Sequence, residues 1–194
     1  MSGAGRAKPH FYFDFASPDA YLAAERVMHV LPEVPEWIPV RLDGLAAGGV
    51  GTFRCAEEEN IYKADIEDRA RRYELQPVRW PDPFPADTEW AMLAATYAKQ
   101  IGRGVAFSLA AFRQAFAGGR DLSERDNVLI AAAACEMHPL ALAKGAELGS
   151  IEARLSDATA AAAAAGVLDV PAVLVGDTVF HGDRELEKAA GALA

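Results

Sequence analysis

The residues with the strongest β-forming character lie at the two ends of this chain, and the long stretch between them reads as helix. Near the start, His10-Phe11-Tyr12-Phe13-Asp14-Phe15 is aromatic-rich and predicts a strand over 11–15. Ser17-Pro18 then reads as an N-cap followed by proline at the first helical position. From Asp19 onward Tyr21, Leu22, Val27, Val30 and Leu31 mark the buried stripe of a helix. A proline-punctuated loop over 32–35 leads to a second strand, Trp37-Ile38-Pro39-Val40-Arg41-Leu42. Strand, helix and strand in about thirty residues suit a right-handed βαβ unit. At the other end, Ala172-Val173-Leu174-Val175, Gly176-Asp177 and Thr178-Val179-Phe180-His181 predict a hairpin with a two-residue glycine turn. Gly182 breaks it, and a terminal helix is expected over 183–193.

Between these ends, the glycine-rich segment 43–53 reads as a loop over the sheet edge. A charged surface helix is expected over 57–73, where Glu57-Glu58-Glu59 is a solvated first turn that complements the helix dipole. The loop 76–85 holds Pro77, Pro81, Pro83 and Pro85 with Trp80 and Phe84 among them. Prolines reduce the entropy lost on ordering, so this loop is either a rigid cleft wall or a plain connector, with equal weight on each. Asp87-Thr88 caps a helix to about Ile101, and further helices are expected over 106–116, 124–137 with Ser123 as N-cap, 139–148 and 151–165. The six alanines 160–165 are strong helix formers whose small side chains permit close packing, ended by Gly166. The order is α/β: βαβ, a long all-helical insertion, then ββα, which is the thioredoxin-like plan. Its boundaries are expected at 9–45 and 166–194 for the thioredoxin-like domain and 54–165 for the inserted helical subdomain and connecting helix.

At 194 residues the chain suffices for one core with an inserted subdomain. It is 24% charged and 52% apolar, with no apolar run long enough to span a bilayer and no signal-like apolar segment behind Arg6 and Lys8. A cytoplasmic protein without a membrane partner is the expectation. A net charge of −9 with scattered basic residues argues against nucleic acid. Cys55 and Cys135 form no Cys-x-x-Cys, and His10, His29, His138 and His181 form no metal-type pair. Two reduced structural thiols and no metal are expected.

Ser17 stands where a strand feeds straight into a helix. Such a junction leaves unpaired backbone N–H groups and a positive dipole end that favour an anion, a thiolate among them. From these residues alone, a plain N-cap is the better reading. Val170-Pro171 adds to it, lying just ahead of the hairpin where the thioredoxin plan sets a cis-proline against the first helix's N-terminus. A cis bond there leaves the Val170 N–H and C=O free to pair with an extended, peptide-like ligand. Ser17 and Val170 then bracket one small site; the alternative is an ordinary trans-proline starting a strand.

Taken together, several blocks make the chain recognisable. They are Phe11-Tyr12-Phe13-Asp14-Phe15-Ala16-Ser17-Pro18-Asp19-Ala20-Tyr21-Leu22, Asp65-Ile66-Glu67-Asp68-Arg69-Ala70, Pro83-Phe84-Pro85-Ala86-Asp87-Thr88, Phe112-Arg113, Gly119-Arg120-Asp121-Leu122, Gly166-Val167-Leu168-Asp169-Val170-Pro171 and Phe180-His181-Gly182-Asp183-Arg184. Over nearly its full length the chain resembles the 2-hydroxychromene-2-carboxylate isomerase family, which is related to kappa-class glutathione transferases and to DsbA-like proteins. The resemblance implies a homodimer that uses glutathione as thiol cosubstrate in aromatic compound catabolism. It implies that Ser17 hydrogen-bonds the glutathione sulfur and favours its thiolate, which adds to the conjugated substrate carbon, permits rotation and leaves. It further implies glutathione contacts at Val170, Pro171, Gly182, Asp183 and Arg184, with Val170 pairing with the cysteinyl backbone and Asp183 helping to hold the γ-glutamyl end.

The chain also departs from the family. Asp19 stands where an aromatic residue is usual, which sets a negative charge near the proposed thiolate. Asp87 replaces asparagine, the loop 48–54 lacks the family's asparagine, His181 replaces tryptophan, Ala172 stands where threonine is frequent, and Gly182-Asp183-Arg184 is one residue short of Gly-x-Asp-Arg. Two other readings therefore stay open: a kappa-type transferase using another thiol or electrophile, and a non-catalytic DsbA-family binding protein. A dithiol oxidoreductase is excluded, because 17–20 contains no cysteine.

Overall fold

A computed structural model describes residues 8–46, 53 and 55–194. Among them, strands β1 (His10–Phe13), β2 (Glu36–Pro39), β3 (Ala172–Val175) and β4 (Thr178–His181) form one sheet in the order β2-β1-β3-β4. β1 runs parallel to β2, with Phe11 opposite Trp37, and antiparallel to β3, with Phe11 opposite Val173. Helix α1 (Pro18–Val30) makes the crossover that a parallel pair requires. The helices α2 (Ala56–Arg72), α3 (Glu89–Gln100), α4 (Gly104–Phe112), α5 (Arg125–Ala134), α6 (Pro139–Ala146) and α7 (Gly149–Ala164) lie between β2 and β3 in sequence, and α8 (Leu186–Leu193) closes the chain. The βαβ, helical insertion, ββα order expected from the sequence is the order observed.

Both faces of β1 are covered. Phe11 and Phe13 enter a core with Phe15, Tyr21, Phe107, Phe112 and Phe116, where the Phe15 and Phe112 rings sit 4.9 Å apart. Tyr12 points the other way, into a smaller cluster with Val40, Ala162, Val167, Val170 and Ala172. Ala162 shows what the alanine run does: it lets α7 lie close on the sheet, and Gly166 at φ +89° ends that segment in a conformation that favours glycine.

Local side-chain bonds shift several expected boundaries. β1 stops at Phe13 because Asp14 starts a turn, its Oδ1 accepting the Ala16 N–H at 2.9 Å. β2 ends at Pro39, and a 3-10 turn over Leu42–Gly44 takes the place of the strand's expected last residue. The helix expected over 106–116 is α4 followed by a π turn over Arg113–Ala117. Ser123 is not an N-cap: its hydroxyl bonds to Asp121 Oδ2 at 2.5 Å, and α5 starts only at Arg125. Thr88 does precede α3, yet its hydroxyl donates to Asp14 rather than capping the helix. The terminal helix opens with a 3-10 turn over Asp183–Glu185 before α8.

Asp14 is the polar pin of this arrangement. Its carboxylate is buried; Oδ1 accepts from Ala16 N–H and from the Thr88 hydroxyl at 2.8 Å, and Oδ2 accepts the Leu42 N–H at 2.9 Å. The end of β1, the segment after β2 and the start of α3 thus meet on one side chain. Burial outweighs these bonds and holds its pKa above the usual carboxylate range. We expect Asp14→Ala to lower stability by about 3 kcal/mol, as three donors lose their acceptor, and the melting temperature by roughly 6–12 °C. A raised folded-state pKa contributes stability that is present below the unfolded value and lost as pH rises through the folded one. The native protein's advantage over Asp14→Asn should therefore be largest in acid and shrink toward neutrality, read by denaturant titrations across pH.

Candidate active site at the head of α1

Ser17 is the N-cap of α1, with extended backbone at φ −94° and ψ 113°. Its Oγ accepts the Ala20 N–H at 3.1 Å and donates to the Val170 carbonyl at 3.3 Å, and the residue is fully buried. The Val170-Pro171 peptide is cis, as the position in the topology leads one to expect. The Pro171 carbonyl accepts the Gly182 N–H at 2.8 Å, and Gly182 adopts φ +85°. Ser17, Val170, Pro171 and Gly182 are thus brought together from the two ends of the chain.

The expectation that the Val170 backbone groups are free does not hold. Its carbonyl takes the Ser17 hydroxyl, and its N–H donates to Asp169 Oδ1 at 2.7 Å, since a short aspartate side chain can fold back onto a neighbouring backbone N–H. Asp169 has a raised pKa, mainly from burial.

Asp183 is also committed internally. It is 1% exposed, its carboxylate pairs with Arg69 and accepts the Tyr73 hydroxyl at 2.9 Å, and its carbonyl accepts from Arg26 Nη1 at 3.0 Å. Arg26 stacks 3.7 Å over the Tyr73 ring. Arg69 is the hub: Nη1 lies 2.7 Å from Asp19 Oδ1, and Nε lies 3.0 Å from Asp65 Oδ2. Tyr62 adds a 2.6 Å bond from its hydroxyl to Asp19 Oδ2. The negative charge that Asp19 brings to the head of α1 is therefore shared with a guanidinium and a phenol rather than left facing the site. Burial raises the Asp183 pKa against the opposing Arg69 charge, and it raises Tyr62, with Asp19 adding to the effect. Arg184 reaches outward to Asp65 at 2.8 Å and is exposed, apart from the Ser17–Val170 pair.

Arg69, Tyr62 and Tyr73 carry no role in the sequence reading. Their helix reads as a charged surface element, and the signal available is the Asp65-Ile66-Glu67-Asp68-Arg69-Ala70 block that carries part of the resemblance, where Arg69 stands among three acids. His181 accepts the Leu168 N–H on Nε2 at 3.0 Å, so its ring proton sits on Nδ1. The missing loop asparagine falls in 48–54, which apart from Phe53 lies outside the described residues.

A cleft of about 320 Å³ opens beside the Ser17 turn, walled by Asp14, Ala16, Arg41, Pro85, Asp87 and Thr88. Arg41 is paired there with Glu89 at 2.9 Å and Glu152 at 3.1 Å. Pro85 makes the proline-rich loop one of its walls, and that loop is anchored by Trp80, whose ring lies 4.8 Å from Phe84 and whose Nε1 donates to Glu67 at 2.7 Å. Among the described residues no group of three or more His, Cys, Asp or Glu side chains is placed to hold a metal, and no helix is long and apolar enough to cross a membrane.

The family model for the DSBA-like thioredoxin domain matches residues 10–194. The chain belongs to that family. A Sphingobium xenophagum protein described as 2-hydroxychromene-2-carboxylate isomerase is 28% identical over 184 residues, 91% of this chain and 93% of that protein. The solved structure of a 2-hydroxychromene-2-carboxylate isomerase superposes with a TM-score of 0.86 at 19% identity, covering 95% of this chain and 93% of its own. A probable DsbA oxidoreductase from Streptomyces coelicolor superposes at 0.75 with 19% identity over 96% and 89%. The isomerase resemblance read from the sequence is borne out by these relatives.

Within the DsbA-like family, dithiol exchange at the first helix requires cysteine there. This member has Ser17 at that place, and its Cys55 and Cys135 are free thiols at the start of α2 and the end of α5. The Arg69 hub should behave as one unit. Arg69→Ala leaves buried Asp183 and half-buried Asp19 without their cation and is expected to destabilise by about 3–5 kcal/mol. The double variant Arg69→Ala/Asp183→Ala should cost clearly less than the sum of the singles, read from urea midpoints.

Proposed function

We propose that this protein is a glutathione-dependent isomerase of 2-hydroxychromene-2-carboxylate-like aromatic compounds, with Ser17 as the thiol activator. The observation that carries the reading is the position of the Ser17 hydroxyl, at the positive end of α1 and 3.3 Å from the Val170 carbonyl. An O–H···O bond of that length is long, so its proton is readily redirected to a ligand sulfur. The isomerase name of the 28%-identical relative supports the reaction class.

In this reading the thiolate adds to the conjugated carbon of the substrate held in the cleft beside Ala16. The former double bond rotates as a single bond, and the electron pair that formed the C–S bond returns to the sulfur as the thiolate leaves. No net oxidation occurs. Lowering a thiol pKa by about two units takes roughly 2.7 kcal/mol of preferential thiolate stabilisation, within the range of one charge-assisted hydroxyl bond plus a helix terminus. Val170, Pro171 and Gly182 supply the wall against which glutathione lies, and pairing with the Val170 N–H requires that the Asp169 carboxylate be displaced. The Asp183 and Arg184 side chains are engaged elsewhere, so the backbone at the start of the 3-10 turn is the part left for its γ-glutamyl carboxylate. A homodimer and a cytoplasmic location complete the proposal.

One observation favours a second reading, a thiol-binding protein without turnover: Ser17 is fully buried and both its bonds are satisfied internally. Calorimetric titration of reduced glutathione into native protein and Ser17→Ala separates the cases. Saturable binding weakened about tenfold or more by the substitution, with isomerase turnover lost, supports the isomerase; losing the N-cap bond should lower stability by only about 1 kcal/mol. Binding without turnover by native protein selects the second reading, and no binding rejects glutathione.

A further inference from the structure

We propose that Asp169 tunes which thiol this site prefers, weakening its hold on glutathione and other peptide-like thiols and favouring those that present a hydrogen-bond donor or positive charge near the sulfur. The proposal rests on the reading of the Ser17–Val170 pair as a thiol site. An extended peptide ligand pairs with a backbone by setting its carbonyl on an N–H and its N–H on a carbonyl. At Val170 the donor is already filled by the Asp169 carboxylate at 2.7 Å, and the carbonyl by Ser17. Asp169 therefore stands where such a ligand's carbonyl oxygen belongs, and being a carboxylate it repels that oxygen.

No salt bridge joins Asp169 to a cation among the described residues; Asp19, itself paired with Arg69, acts on it as a like charge, and His181 acts to a lesser degree in the opposite sense. His181 accepts the Leu168 N–H on Nε2, so that nitrogen does not donate to Asp169. Glutathione has to displace the carboxylate to reach the Val170 N–H. A small thiol carrying an ammonium or hydroxyl can leave it in place and bond to it. The Asp169 carboxylate is only partly buried at this bond, so the displacement is a competition for one charge-assisted bond, worth about tenfold in affinity.

The test is calorimetric titration of two probes, glutathione and cysteamine, into native protein, Asp169→Asn and Asp169→Ala, each with and without Ser17→Ala. Asn keeps an acceptor for the Val170 N–H and removes the charge; Ala removes both. The expected result is glutathione affinity raised about tenfold in Asp169→Ala and less in Asp169→Asn, with cysteamine weakened about tenfold in both. An unchanged ratio of the two affinities across the variants overturns the proposal. If Ser17→Ala weakens both thiols in that case, the thiol-site reading survives without it. If Asp169 variants shift the ratio and Ser17→Ala has no effect, the selectivity role stands and the activator role of Ser17 falls. No binding of either thiol to any variant overturns both.

Discussion

β1 is hydrogen-bonded along both edges and buried on both faces, and the rest of the molecule follows from completing it. One edge is met by β2, which α1 delivers; the other can only be met by β3, from beyond the whole helical insertion. Pairing Tyr12 with Ala172 carries Val170 to the head of α1, where the Ser17 hydroxyl bonds to a residue 153 positions away. The site is a by-product of sheet closure, and the two ends of the chain must both be in register for it to exist.

Two polar devices hold the closed arrangement. Asp14 ties the turn after β1 to Leu42 and Thr88, and so fixes one wall of the cleft. Arg69 ties α2 to the head of α1 through Asp19 and to the segment after β4 through Asp183. Buried charge of this kind contributes little net stability over an apolar replacement, yet removing one partner is strongly destabilising. Its use here is positional: it keeps Asp19 from facing the anion that the helix terminus favours, and it fixes the start of the last turn beside Pro171.

Periodicity and turn chemistry made the fold legible. The aromatic alternation of 11–13, the proline after Ser17, the Gly176-Asp177 turn and the alanine run all encode local preferences that the tertiary structure then uses without change. Ser17 and the cis-proline were legible for the same reason, since one is a cap and the other a position in a topology. What could not be read was which acceptor each short polar side chain would choose. Thr88 and Ser123 both look like helix caps, and each bonds instead to an aspartate, one 74 residues away and one two residues away. Asp169 reads as part of a loop motif until its carboxylate is seen on the Val170 N–H. Arg69 sits in a helix whose composition signals solvent, and only the approach of Asp183 from the far end of the chain turns it into a buried hub.

The proposed function requires the head of α1 to lower a bound thiol's pKa, and that quantity is directly measurable. Ultraviolet thiolate absorbance of glutathione held by the protein, followed against pH, should give an apparent pKa about two units below the ~8.5 of an unperturbed cysteine-type thiol. A bound thiol that titrates at the same pH as free glutathione would contradict the claim that Ser17 and the α1 terminus form a thiolate site.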